Sequence, residues 1–172
     1  MQRDQEEVDS ILHPEEFKAV FRNHPAGVTV ITMNGPEGPM GFTATSVSSV
    51  SADPAILVFS VAGGASAKNV IERVDSVAIN FLAADQREVA ETFARRGIDR
   101  FAQVDWYSLP TGEPIINGSA SWISGPIDQR LPVGDSLLVT VKAARSERRD
   151  GAEPLLYVDR KYHQLGDVIG QD

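Results

Sequence analysis

Seven residues from Ala55 to Val61 read AILVFSV, with Pro54 before them and Gly63-Gly64 shortly after. An apolar run this short, closed by breakers, is a strand, and the unbroken hydrophobicity predicts burial on both faces. The segment leading into it, Gly41 to Asp53, is chemically opposite. It packs Thr43, Thr45, Ser46, Ser48, Ser49 and Ser51 at close spacing, and the small Gly41 and Ala44 leave room for a ligand to approach the backbone. Hydroxyls in that density hold phosphate and sugar oxygens without a metal, so the pair of segments reads as a polar ligand cradle opening onto a core.

The remaining elements follow from periodicity and breakers. His13-Pro14-Glu15-Glu16, then Phe17, Val20 and Phe21, predict an entering helix with an acidic first turn. Val28 to Thr32 is a β-branched strand that runs into the turn-rich Asn34 to Pro39, a hairpin signal. A short helix over Ser66 to Val74, with Ser66 at or near its N-cap, a strand over Val77 to Leu82 and a helix over Asp85 to Arg96 come next. Ile98 to Gly118 is an excursion whose Phe101, Trp106 and Tyr107 argue against disorder. Ser119 to Ser124, Ser136 to Ala144, Pro154 to Val158 and Tyr162 to Leu165 complete the strands, with Arg145 to Ala152 read as a polar loop. About seven short strands with two or three helices favour a mainly β, antiparallel, Greek-key-like barrel decorated by α-helices over a βαβ alternation.

Composition narrows the partners. The 172 residues make one ordinary domain, expected over residues 13–172 behind a flexible, acid-rich tail over residues 1–12. A formal net charge of −8 argues against nucleic acid, whose phosphates require clustered Lys and Arg. There is no cysteine, hence no disulfide framework and no thiolate chemistry. With no apolar leader or span in the sequence, the expectation is a soluble, cytoplasmic protein that does not meet a membrane. His13, His24 and His163 form no metal-ligand spacing, so no metal site is expected.

The order of motifs resembles the flavin reductase-like family, whose domain is an FMN-binding split β-barrel. The resemblance rests on Phe21-Arg22, Gly27-Val28-Thr29-Val30-Ile31-Thr32, Gly41 to Ser46, Ser49 to Pro54, Ala65 to Asn69 and Ala78 to Leu82. It continues through Phe93, Asp99-Arg100-Phe101, Trp106, Gly112 to Ile116, Gly134-Asp135 and Pro154 to Tyr157, so it covers roughly residues 15 to 166. It implies FMN or FAD as the flavin and NAD(P)H as co-substrate. It also implies a homodimer with the flavin near the interface, and a separate monooxygenase that receives the reduced flavin.

Carried over residue by residue, the resemblance makes Thr43, Ala44, Thr45 and Ser46 contacts of the ribityl chain or phosphate. Val50 and Ser51 become contacts of the polar edge of the isoalloxazine, where a donor stabilises charge on the reduced ring. Ser66 and Lys68 become a phosphate site at a helix N-terminus. Asn80 lies on a family strand, and Phe101 either lies against the flavin or plugs the barrel rim. The family commonly has Gly-Asp-His where this chain has Gly134-Asp135-Ser136, and that histidine is usually given to nicotinamide binding or proton delivery. Ser136 is no acid or base at neutral pH. Tyr162 and His163 are the nearest substitutes on the nicotinamide side, and no catalytic residue is identified. A second class therefore stands beside the reductase: a non-catalytic split barrel that binds flavin, deazaflavin or haem. Gly134-Asp135-Ser136-Leu137 also spells a short esterase signature, but its place late in the chain and the missing Asp-x-x-His partner exclude it.

Overall fold

The computed structural model describes residues 11–170, so most of the expected tail lies outside the described residues. Helix α1 (Pro14–Arg22) starts where expected: Pro14 needs no N–H partner at that position, and the Glu15 N–H is received by Nδ1 of His13 at 3.4 Å. Its apolar residues meet no core; none of its nine residues is buried. Strands β1 (Ala26–Gly27), β2 (Thr29–Gly35) and β3 (Gly38–Ala44) follow, the last two closing the expected hairpin. β4 (Ser48–Ala52) and β5 (Ala55–Val61) form a second hairpin, α2 (Ser66–Ile71) leads into β6 (Ser76–Phe81), and α3 (Arg87–Ala94) crosses the outside of the sheet.

The excursion over residues 98–118 is ordered by a 3-10 turn (Phe101–Gln103) and the small hairpin β7 (Trp106–Ser108) with β8 (Pro114–Ile116). The chain ends in β9 (Ser121–Val133), β10 (Ser136–Lys142), β11 (Arg145–Arg148), β12 (Leu156–Val158) and β13 (Lys161–His163). The main sheet runs β3-β2-β6-β9-β10-β5-β4, all antiparallel, with β11 beside β9 and with β1, β12 and β13 in a separate small sheet. β9 turns the corner of the barrel: its first half pairs with β6 and β11, its second half with β10. Gly125 sits at that switch, where a Cβ would overlap the carbonyl oxygen of Lys142. Only glycine permits the two backbones to cross there.

Two clusters hold the fold. Ile31, Met33, Phe59, Ile71, Ile79, Val139 and Val141 fill the barrel, and Val28, Val30, Leu82, Phe93, Phe101, Ile116 and Leu155 pack between the sheet and α3. Burial of β2 on both faces follows from its place between them. β5 departs from expectation. Leu57, Phe59 and Val61 are buried, but Ile56, Val58 and Ser60 on the other face are only half-buried, because no element among the described residues covers that side of the β9-β10-β5-β4 sheet. The segment over residues 145–152 is also not simply a loop, since Arg145–Arg148 pairs with Ser121–Ser124 as a strand.

Candidate functional site

The hydroxyl-rich run leaves the barrel as β3 ends, turns at Thr45–Val47 and returns as β4. Ser46 fixes the corner: its Oγ receives the Ser60 N–H at 3.0 Å and donates to the Ser60 carbonyl at 3.2 Å, standing in for a missing rung of backbone pairing. Thr43 donates from Oγ1 to the Ala90 carbonyl at 2.6 Å and ties the cradle to α3. Ala44 is buried, with Thr29 donating to its carbonyl oxygen at 2.8 Å. Thr45 and Ser66 are exposed and, among the described residues, hold no side-chain hydrogen bond that would compete with a ligand.

Two clefts meet at Thr45 and Ser46. One, of about 430 Å³, runs from Thr43–Ser46 across Ser60–Ala62 to Ser66 and the end of α3, with Phe42, Phe93 and three alanines of the 62–67 segment giving apolar wall. The other, of about 760 Å³, lies between α1 and the β12–β13 turn, with Phe17, Phe21 and Tyr157 as aromatic wall. The cations of the smaller cleft are Arg96 and Arg100, which sequence reasoning passed over. Arg100 is held in place: Nη1 donates to the Gly41 carbonyl at 2.6 Å, Nε to the Arg95 carbonyl at 2.8 Å, and Nη2 also to Arg95. A guanidinium has five N–H donors, so two stay available. Burial, with Arg96 beside it, lowers the Arg100 pKa from its ordinary value, and an anion in the cleft relieves both effects. The signal was present in Asp99-Arg100-Phe101, but nothing in the letters distinguishes a cation aimed into a cleft from a solvated one.

The other expected residues separate. Lys68 is half-buried within α2 and is not among the residues lining either cleft. Ser66 opens α2, whose N-cap is Ala65 without a side-chain cap. Val50 stands 60% exposed at a register shift of β4, with Ser51 beside it. Asn80 is fully buried and its amide is engaged: it donates to the Val30 carbonyl and Thr32 Oγ1, each at 3.0 Å, and receives the Ile116 N–H at 2.9 Å. Its surroundings are structural, locking β2, β6 and β8 together. Phe101 packs edge-on between Phe93 and Trp106, with ring centroids 5.1 Å from each, in the outer cluster. Ser136 donates to Asp135 Oδ1 at 2.9 Å on the main sheet, while Tyr162 and His163 lie on the small sheet, Tyr162 against Tyr157.

Comparison with known proteins bears on family and fold. Residues 21–166 match the family model described as flavin reductase like domain. The chain belongs to this family. An NADH:FMN oxidoreductase of Rhodococcus erythropolis is 42% identical over 154 residues, covering 87% of this chain and 80% of that protein. Among solved structures, an Arthrobacter flavin reductase domain protein superposes with a TM-score of 0.87 at 34% identity, covering 93% of this chain and 100% of that one. The NADH:FAD oxidoreductase of Streptomyces globisporus, solved with NAD and FAD fragments, gives 0.86 at 26% identity, covering 94% and 99%. The split barrel expected from sequence is thus the fold of this flavin reductase like domain. Its described residues include no helix long and apolar enough to cross a membrane.

Proposed function

We propose that this chain is an NAD(P)H-dependent flavin oxidoreductase that reduces FMN or FAD and passes it to a separate monooxygenase. One observation carries the reading: two clefts share Thr45 and Ser46 in their walls, one bearing a guanidinium pair and the other walled by aromatic rings. A flavin phosphate fits Arg96 and Arg100 with the hydroxyls of Thr45 and Ser66, where charge-assisted hydrogen bonds form. Bound flavin would supply the two-electron acceptor that takes up the hydride. The chain's own task is to hold the flavin and nicotinamide rings against each other at close range. Relatives support the pairing: one is named as an NADH:FMN oxidoreductase and another as the reductase component of a flavin-dependent trigonelline monooxygenase. The reading expects cytoplasmic work, where NAD(P)H is supplied, and the net charge of −8 disfavours nucleic acid as a partner.

A homodimer completes the site in this reading. Opposed residues of antiparallel neighbours share a face, so Leu131, Leu138 and Ser60 line up outward, as do Thr140 and Val58. Val133 and Ser136 extend the same face toward the Gly134 turn, and Leu131 and Val133 are about half exposed. Thr140 Oγ1 is buried there without a hydrogen-bond partner among the described residues. Light scattering is expected to give twice the monomer mass, and Leu131→Arg to give the monomer; a wild-type monomer with flavin bound overturns the dimer.

The deciding assay is NAD(P)H oxidation stimulated by added FMN or FAD. Ser136, whose hydroxyl is engaged by Asp135, offers no imidazole-like proton donor, and this favours one rival: a barrel that binds flavin, deazaflavin or haem without turnover. Flavin binding with no stimulated oxidation would establish that rival.

A further inference from the structure

The larger cleft carries features that a stack of two rings does not require. Its lining holds Lys18, Arg22 and Arg160 against one carboxylate, Asp159, in a chain whose net charge is −8. Lys18 is paired with Glu15 at 2.9 Å, whereas Arg22 and Arg160 have no carboxylate within salt-bridge distance among the described residues. The local sign is therefore opposite to that of the molecule.

The backbone beneath these arginines is unusual. Asp159 and Arg160 have φ of +48° and +60°, and no other non-glycine residue among those described has a positive φ. They form the two-residue turn between Val158 and Lys161, a position where Asn-Gly is the relaxed choice. A side chain there is tolerated at an energetic cost, and such strain gathers at ligand contacts. The turn is fastened to α1 by the Asp159 N–H, which donates to the Arg22 carbonyl at 2.7 Å. Two arginines from distant parts of the chain are thus held at one cleft. Beside them Phe17 and Phe21, 53% and 56% exposed, stand one helical turn apart with ring centroids 4.8 Å apart.

We propose that Arg22 and Arg160 grip the pyrophosphate of an adenine dinucleotide, with the Phe17–Phe21 face as the platform for its adenine. Guanidinium forks match phosphate oxygens, and exposed aromatic faces stack purines. The inference rests on the reductase reading and adds where the unreactive half of the dinucleotide sits, its reactive end reaching the junction at Thr45–Ser46. Two molecules present this chemistry, NAD(P)H and FAD, and the experiment separates them.

Arg22→Gln, Arg160→Gly and the double variant are compared with the wild-type chain. NADH is titrated at saturating FMN, dihydronicotinamide riboside serves as the same reducing ring without phosphate or adenine, and FMN and FAD affinities are read by flavin fluorescence. For the double variant KM for NADH is expected to rise about tenfold, an effect that shrinks with added salt, while KM for the riboside and the FMN affinity stay put. If FAD is the molecule held, its affinity falls about tenfold instead, with FMN and NADH unmoved. Arg160→Gly relaxes the turn, so a loss cannot be put down to misfolding; its melting temperature is expected not to fall. The proposal is overturned if neither NADH nor FAD responds, or if the riboside responds as strongly as NADH. Should the wild type oxidise no dihydronicotinamide at all, the reductase reading fails, and the comparison of FAD with FMN still tests the grip.

Discussion

Arg100 donates from Nη1 to the carbonyl oxygen of Gly41 over 2.6 Å, so the loop after α3 is tied to the first residue of the hydroxyl-rich cradle. That link makes Arg100 a brace for the wall it faces, and the proposed function gives it a second role as cation for the flavin phosphate.

Arg100→Ala is expected to weaken FMN binding about tenfold by fluorescence titration, the loss of one charge-assisted contact that is partly open to solvent. Lys68→Ala, away from the clefts, is expected to stay within about twofold. The reverse ranking would return the phosphate to the N-terminal side of α2.

Gly41→Ala tests the packing rather than the charge. A Cβ at position 41 would meet Phe93 Cε1 at 2.8 Å and the Ile31 carbonyl at 3.0 Å. Displacing a buried ring costs about 1–3 kcal/mol, which in a chain of this size lowers the melting temperature by roughly 2–4 °C per kcal/mol. An unchanged melting curve would show that Phe93 can move freely.

Ser136→Ala is expected to leave flavin-stimulated NAD(P)H oxidation within about tenfold, since it removes a neutral hydroxyl worth roughly 0.5–1.5 kcal/mol. The pH–rate profile should carry no titration in the histidine range that disappears with this substitution. Oxidation that appears only in Ser136→His would favour the binding-protein reading.

Tyr162 sets an alkaline limit. Burial, then Tyr157 and Glu91, raise its pKa above the ordinary tyrosine value. A phenol whose folded pKa is raised contributes stability that is present below the unfolded pKa and lost as pH climbs through the folded one. Tyr162→Phe should therefore lose less stability between neutral and strongly alkaline pH than the wild type, measured by denaturant midpoints. Parallel curves would remove Tyr162 from the account.

Local patterns made much of this fold readable. AILVFSV appears as β5 over the residues expected, because Pro54 and Gly63-Gly64 mark its ends whatever packs around it. β9 was legible only in part: Gly125-Pro126 looks like a stop, yet there the strand changes neighbours and continues to Val133. β11 was hidden for the opposite reason. All four of its residues are exposed on an edge strand, so no apolar alternation marks it. At the site, residue types pointed to Thr45, Ser46 and Ser66, but periodicity cannot say which strand face a hydroxyl takes or which arginine bends inward. Asn80 and Phe101 were found by motif and placed by packing, both in the interior, where a motif resemblance does not separate a ligand contact from the scaffold behind it.

The fit between Gly63 and the Gly134-Asp135 turn has a consequence for engineering. A Cβ at Gly63 would overlap the carbonyl oxygen of Asp135, so the two loops are matched through main chain alone, whatever side chain stands at 136. Exchanging Ser136 therefore leaves the seam intact, whereas transplanting either loop from a relative requires its glycine counterpart to travel with it. Position 136 is free to vary in this respect, and Gly63 is the hinge pin that keeps the turn before it aligned.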